Sequence, residues 1–324
     1  MLLGYLAIGA TLLLWSGFFL SLKGGAISAL QPADIAFTRF VVPMICLLPI
    51  VVRARRSVAS VPFRYWLGMF VGSGLPYLLV AGTAMQFVPV SHGSALVPGT
   101  LPLFVTGIAV LLFKQPLSQH RVIGLSLVVV GIGLFLVPHL GLYQNQLNAN
   151  GQETTGHLLF LVGSLMWAIF TICARVANLN PLVASGVIAF ASMLLLTILV
   201  NWGVLDSYLL NTPIHQWPWY ELFGHLLVQG IGAGLLAAFT YLYAVKVLGA
   251  ERSAAFGSAT PVLATLLAIP IFGEYPDPLT WIALFVVSCG SLIASNVFMR
   301  HDSSMDYRPP QHHQVKPSSE SSVP

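Results

Sequence analysis

Charge is the scarcest property of this sequence. Asp, Glu, Lys and Arg make up 7% of its 324 residues, against about a quarter in an ordinary soluble domain. A surface that poor in charge excludes a soluble enzyme, a nucleic-acid-binding domain and a disordered chain. Cysteine is nearly absent. Cys46, Cys173 and Cys289 each sit in an apolar run, with no paired spacing for a disulfide framework or a zinc site. All three read as small hydrophobes. Carboxylates are missing from the middle of every long apolar run. No D-D-x-x-D motif occurs to hold magnesium for a membrane transferase. The context of Ser73, in V-G-S-G, does not suit an intramembrane serine protease. No cofactor or metal is expected.

Hydrophobic residues are abundant, at 56%, and the mean hydropathy is +0.84. A bilayer core about 30 Å thick requires roughly 20 apolar residues per helix. Ten runs meet that length: 2–22, 33–52, 65–83, 90–112, 121–138, 157–175, 181–201, 222–245, 253–272 and 279–298. Helices are required because unpaired backbone groups are costly in lipid. The first run has no basic leader and is long for a signal peptide, so it reads as a span. The predicted fold is an all-α integral membrane protein.

The formal net charge of +4 is a topology signal, so no nucleic-acid partner is expected. With the N-terminus inside, twelve of the fourteen Lys and Arg residues fall on the cytoplasmic side, Lys23 alone falls outside, and Arg39 lies within a span. Asp34, Glu153, Asp206, Glu221, Glu274 and Asp277 cluster towards the outer face. This partition predicts both termini inside and a cytoplasmic-membrane location. Residues 139–156 and 202–220 become outer loops. Residues 299–324, rich in Ser, Pro and His, are expected to be a disordered inner tail, with His312–His313 solvated.

The two halves align. Pro102 and Phe113 are eleven apart, as are Pro261 and Phe272, which sets Gln115 against Glu274. Gly124 and Gly131 match Ala283 and Gly290, and Trp15 and Lys23 match Trp167 and Arg175. Residues 1–138 therefore repeat as 157–298. Five spans per repeat is an odd number, so the copies cross the membrane in opposite senses. Inverted repeats are an architecture of secondary transporters.

The stretches L-L-L-W-S-G-F-F-L-S-L-K (12–23), Q-P-A-D-I-A-F-T-R-F (31–40), S-A-L-V-P-G-T-L-P-L-F (94–104), S-L-M-W-A-I-F-T-I-C-A-R (164–175), A-E-R-S-A-A-F-G-S-A-T-P-V (250–262) and F-G-E (272–274) carry a resemblance. In order and duplication they resemble the drug/metabolite transporter superfamily and, within it, the ten-helix EamA-type exporters. The resemblance implies efflux of small metabolites, amino acids or drugs. Lys114–Gln115 departs from the Gly-Glu pair usual in that family, which Gly273–Glu274 retains.

Candidate transport residues follow from polarity at depth. Arg39 binds a carboxylate or phosphate on the substrate, or snorkels to the outer headgroups, or pairs with Asp34. Trp15, Phe19 and Lys23 share one helix face, and Trp167, Thr171 and Arg175 share another. The two indoles are candidate cavity walls or packing anchors. Pro98, Pro102 and Pro261 are candidate helix breaks, with Thr100 and Thr260 beside them and Pro270 and Gly99 nearby. Tyr77, Tyr241 and Tyr243 are candidate ligand contacts. Gly68-x-x-x-Gly72 and Gly230-x-x-x-Gly234 are close-packing motifs, with homodimerisation a weaker use. His92 and His225 are candidate proton-coupling groups and equally candidate packing residues. The expected partners are a small-molecule substrate and membrane lipid. A channel and a membrane enzyme are the rival functions.

Overall fold

The computed structural model describes residues 1–136 and 147–295, and every regular element among them is a helix or helical turn. The 299–324 tail with its histidine pair, the end of the fifth predicted span at 137–138 and residues 139–146 of the first long loop lie outside the described residues. Among the described residues, nine helices are long and apolar enough to cross a bilayer: α1 (Leu2–Ala26), α2 (Pro32–Arg53), α3 (Phe63–Met85), α4 (Val90–Phe113), α5 (Gln119–Leu136), α6 (Gly151–Ala177), α7 (Pro181–Asn201), α8 (Trp219–Leu248) and α9 (Ala255–Phe272). A shorter apolar helix, α10 (Pro278–Ala294), follows. Large apolar side chains such as Leu111, Leu112 and Phe285 are about 70% exposed or more. A continuous apolar exterior of this kind needs lipid around it. The chain is a multi-pass membrane protein.

Helix starts obey local chemistry. Asn180 and Asp277 accept from the backbone N–H groups of Leu182 and Thr280, at 2.9 and 2.6 Å, and proline follows each cap. Gln31 and Asp34 form a reciprocal capping box ahead of α2. The helix leading into α6 begins at Leu147, so ten residues of the predicted 139–156 loop are helical instead. The segment N-A-N-G-Q-E carries no proline to stop a helix. The 202–220 connection holds a short helix, Tyr208–Asn211, and a single 3-10 turn, Ile214–Gln216.

Both α4 and α9 end on a left-handed residue, at Lys114 (φ 51°) and Gly273 (φ 67°). The two helix ends thus share one kind of backbone turn, with lysine in the first and glycine in the second. Only glycine holds that conformation without a Cβ penalty. Lys114→Gly is therefore expected to raise stability by about 0.5–1 kcal/mol. Thermal unfolding in detergent checks it, and a lower melting temperature contradicts it.

The predicted break at Pro261 coincides with an interruption, whereas those at Pro98 and Pro102 do not. α4 runs on through Pro98 and Pro102 as one helix. In α9, two turn residues, Ser258 and Ala259, stand just before Pro261. α3 is broken at Gly74, where the Ser192 hydroxyl accepts from the freed N–H of Leu75 at 3.0 Å. α8 widens into a π-helix over Leu226–Leu236. π segments are rare and often sit at functional sites.

Packing runs mainly between the halves. α5 lies along α10, and α2 along α7. α1 packs on α8 and α9, while α6 packs on α3 and α4. Glycine permits the closest approaches. A Cβ at Gly72 would stand 2.2 Å from the Met166 carbonyl oxygen, and one at Gly124 would stand 2.5 Å from the Ala294 nitrogen. Gly230 and Gly234 face backbone oxygens of Thr38 and Arg39 in the same way. Both glycine pairs are thus contacts within the bundle.

Candidate functional site

The two tryptophans mark two aromatic clusters. Trp15 of α1 meets Tyr241 of α8 with ring centres 5.3 Å apart. Trp167 of α6 meets Tyr77 of α3 at 5.2 Å. In each case the first helix of one half reaches the third helix of the other. Tyr77 also stacks on Phe18, at 6.4 Å and 11° between planes. The Arg39 guanidinium lies 5.5 Å from the Phe18 ring centre, which supplies a cation–π contact. Arg39, Phe18, Tyr77 and Trp167 thereby form a chain across α2, α1, α3 and α6.

Arg39 has a donor to spare. Its Nη1 donates to the Gln229 carbonyl at 3.1 Å, within the π segment of α8. Asp34 is engaged elsewhere. It accepts from the Ser207 hydroxyl at 2.5 Å and from the N–H groups of Gln31 and Tyr208 at 2.8 and 2.9 Å, tying the 202–218 connection to α2. Among the described residues, no carboxylate comes within 4.0 Å of the Arg39 guanidinium. A guanidinium offers five donors in a planar fork suited to a carboxylate or phosphate.

Gln229 completes this region, and sequence reasoning passed over it. It is fully buried, and its Nε2 donates to the Phe18 carbonyl at 3.2 Å. Its Oε1 has no hydrogen-bond partner among the described residues. A buried acceptor left unpaired costs about 1–3 kcal/mol, a penalty that a ligand donor would remove. The signal was present as the one amide in the apolar run L-L-V-Q-G-I-G-A-G.

The other candidates have other surroundings. Thr100 is fully buried, with its hydroxyl within bonding distance of Ser164 and the Leu96 carbonyl. The Thr171 hydroxyl donates to the carbonyl of Trp167 one turn back. Tyr243 is 43% exposed, the position of a lipid-facing ring. Thr260 is buried, and its carbonyl accepts from Ser16. The His225 ring bonds the Ser21 hydroxyl at 2.7 Å. The His92 ring bonds His157 at 2.9 Å, a partner 65 positions away that no sequence pattern announced. His92, Ser91, Glu153, Asp277 and Glu274 line a cavity of about 270 Å³. Among the described residues no group of three or more His, Cys, Asp or Glu side chains is arranged to hold a metal.

Known proteins carry the same signature. Residues 154–296 match the model of the EamA-like transporter family. An uncharacterized transporter of Haemophilus influenzae is 25% identical over 173 residues, 52% of this chain and 54% of that protein. The uncharacterized transporter YyaM of Bacillus subtilis is 23% identical over 223 residues, 66% of this chain and 68% of that one. The aligned stretch thus spans about half the length of the first relative and two thirds of the second. A crystal structure with 20% identity superimposes with a TM-score of 0.59, covering 90% of this chain and 96% of its own. The fold of that structure therefore extends over nearly all of this chain.

Proposed function

We propose that this EamA-type protein is a secondary transporter. It moves a small metabolite, amino acid or drug-like solute outward across the cytoplasmic membrane by alternating access, with both termini inside. The solute crosses without being chemically changed. The observation that carries this reading is the exchange symmetry of the packing. Swapping halves turns α1 on α8 into α6 on α3 and α1 on α9 into α6 on α4, and returns α2 on α7 and α5 on α10 to themselves. Two bundles related in this manner have two equivalent ways to lean on each other, one for each side of the membrane. Arg39 and the Trp–Tyr clusters sit where the halves meet, so they would be exposed to each side in turn.

Solute counterflow in proteoliposomes tests the reading. The purified chain, loaded with one unlabelled solute at a time from a metabolite panel, is expected to drive transient accumulation of the same labelled solute and to saturate. Flux that rises linearly with concentration, without counterflow, would replace the carrier by a channel. Thiol labelling that put Arg53–Arg56 and Arg300 on opposite faces would overturn the orientation.

A further inference from the structure

Lys23 and Glu274 come from opposite halves. The ammonium lies 3.2 Å from the Glu274 carboxylate, and the side chains are 16% and 19% exposed. Lys23 also donates to the Val88 carbonyl at 3.2 Å. The second Glu274 oxygen accepts from the Val90 N–H at 2.8 Å, at the start of α4. Three charge-assisted contacts therefore tie the end of α1, the α3–α4 connection, the first turn of α4 and the segment after α9. Contacts of this type are stronger than neutral hydrogen bonds, and partial burial limits their screening.

The repeat predicts a second such knot at the other end of the bundle. The counterparts of Lys23 and Glu274 are Arg175 and Gln115. Both are exposed, and Gln115 has an amide where the carboxylate belongs. An amide gives no ion pair with Arg175. The left-handed Lys114 beside it even places a cation where the second half has Gly273. One end of the bundle is thus fastened by charge and its counterpart is not.

We propose that Lys23–Glu274 is the latch of the outer gate, and that loss of the carboxylate at Gln115 leaves the inner gate without one. The resting protein therefore opens preferentially to the cytoplasm. This rests on the transporter reading and its orientation. Ser91 is buried and lines the same cavity as Glu274, which makes it the reporter position.

The test is the rate at which Ser91→Cys, in full-length protein in sealed vesicles, reacts with a membrane-impermeant maleimide added outside. The background from Cys46, Cys173 and Cys289 is subtracted using protein without the reporter. Reaction is expected to be slow with the latch intact. Glu274→Gln and Lys23→Met should each accelerate it about tenfold, with no further gain when combined. Gln115→Glu, which supplies Arg175 with a partner, should also accelerate labelling by shifting the population outward. Unchanged labelling in folded single variants overturns the latch. Counterflow is measured on the same vesicles. Intact counterflow with unmoved labelling removes the latch alone, whereas loss of saturable counterflow in the unmodified protein removes the transporter reading.

Discussion

Arg39→Ala is expected to lower transport at least about 100-fold while leaving the amount of folded protein in the membrane close to that of the parent. The argument starts from expense. A cation within a span is costly unless something at that depth compensates it. Here the compensation is one backbone carbonyl and one aromatic face, and the nearest acid in sequence, Asp34, is held by Ser207 and Tyr208. Arg39 keeps unused donors, and Gln229, whose backbone carbonyl it bonds, keeps an unpaired side-chain oxygen among the described residues, so both are available to a ligand. A charge-assisted fork on an anionic group contributes about 3 kcal/mol, which is roughly two decades of rate. Arg39→Lys should lose much of this, since an ammonium is a point charge without the planar fork. Counterflow of whichever solute the panel identifies supplies the rate, and size-exclusion elution supplies the folded fraction. Equal rates for Arg39→Ala and the parent would end the substrate role. A collapse of the folded fraction in Arg39→Lys would instead assign Arg39 to holding the Gln229 carbonyl and the π segment together.

Much of the fold was legible because membrane insertion leaves a one-dimensional record. Spans read from apolar run length correspond to helices, and the starts at Asn180–Pro181 and Asp277–Pro278 were legible because cap and proline are adjacent in sequence. The interruptions were harder. Proline at 98 and 102 suggested a break in α4, yet the helix absorbs both. The breaks in α3 and α8 depend on tertiary partners. Ser192 accepts from the Leu75 N–H across 117 positions, and the π segment of α8 faces Thr38 and Val42 of α2 through Gly230. The site was legible residue by residue but not as an assembly. Arg39, Tyr77, Trp15, Trp167 and Tyr241 stood out by type and depth, whereas their pairing is set by helix crossings. Asp34 shows why spacing misleads. Five positions from Arg39, it looked like a partner, and it caps a loop 173 positions away. Lys23 and Glu274 looked like membrane-end residues for the same reason, and only the packed halves bring them together.

Gly72→Ala should be strongly damaging, costing about 3 kcal/mol or more, while Gly107→Ala should be neutral or slightly stabilising. The added Cβ at Gly72 would stand 2.2 Å from the Met166 oxygen, 2.7 Å from the Phe170 nitrogen and 2.6 Å from the Phe170 Cβ. Two of those three atoms are backbone in the middle of α6, so no rotamer change relieves them. α3 and α6 must move apart, and overpacking against a rigid wall costs more than the usual 1–3 kcal/mol. The displacement also reaches the site, because Tyr77 and Trp167 belong to the same two helices. At Gly107, within α4, nothing stands within 4 Å of the added carbon. There the gain is the helix propensity of Ala over Gly, up to about 1 kcal/mol. Melting temperature and monodisperse yield in one detergent compare the two variants directly. If Gly72→Ala melts with the parent protein, the α3–α6 contact is looser than the geometry requires, and the mirrored Trp–Tyr pairing loses its rigid support.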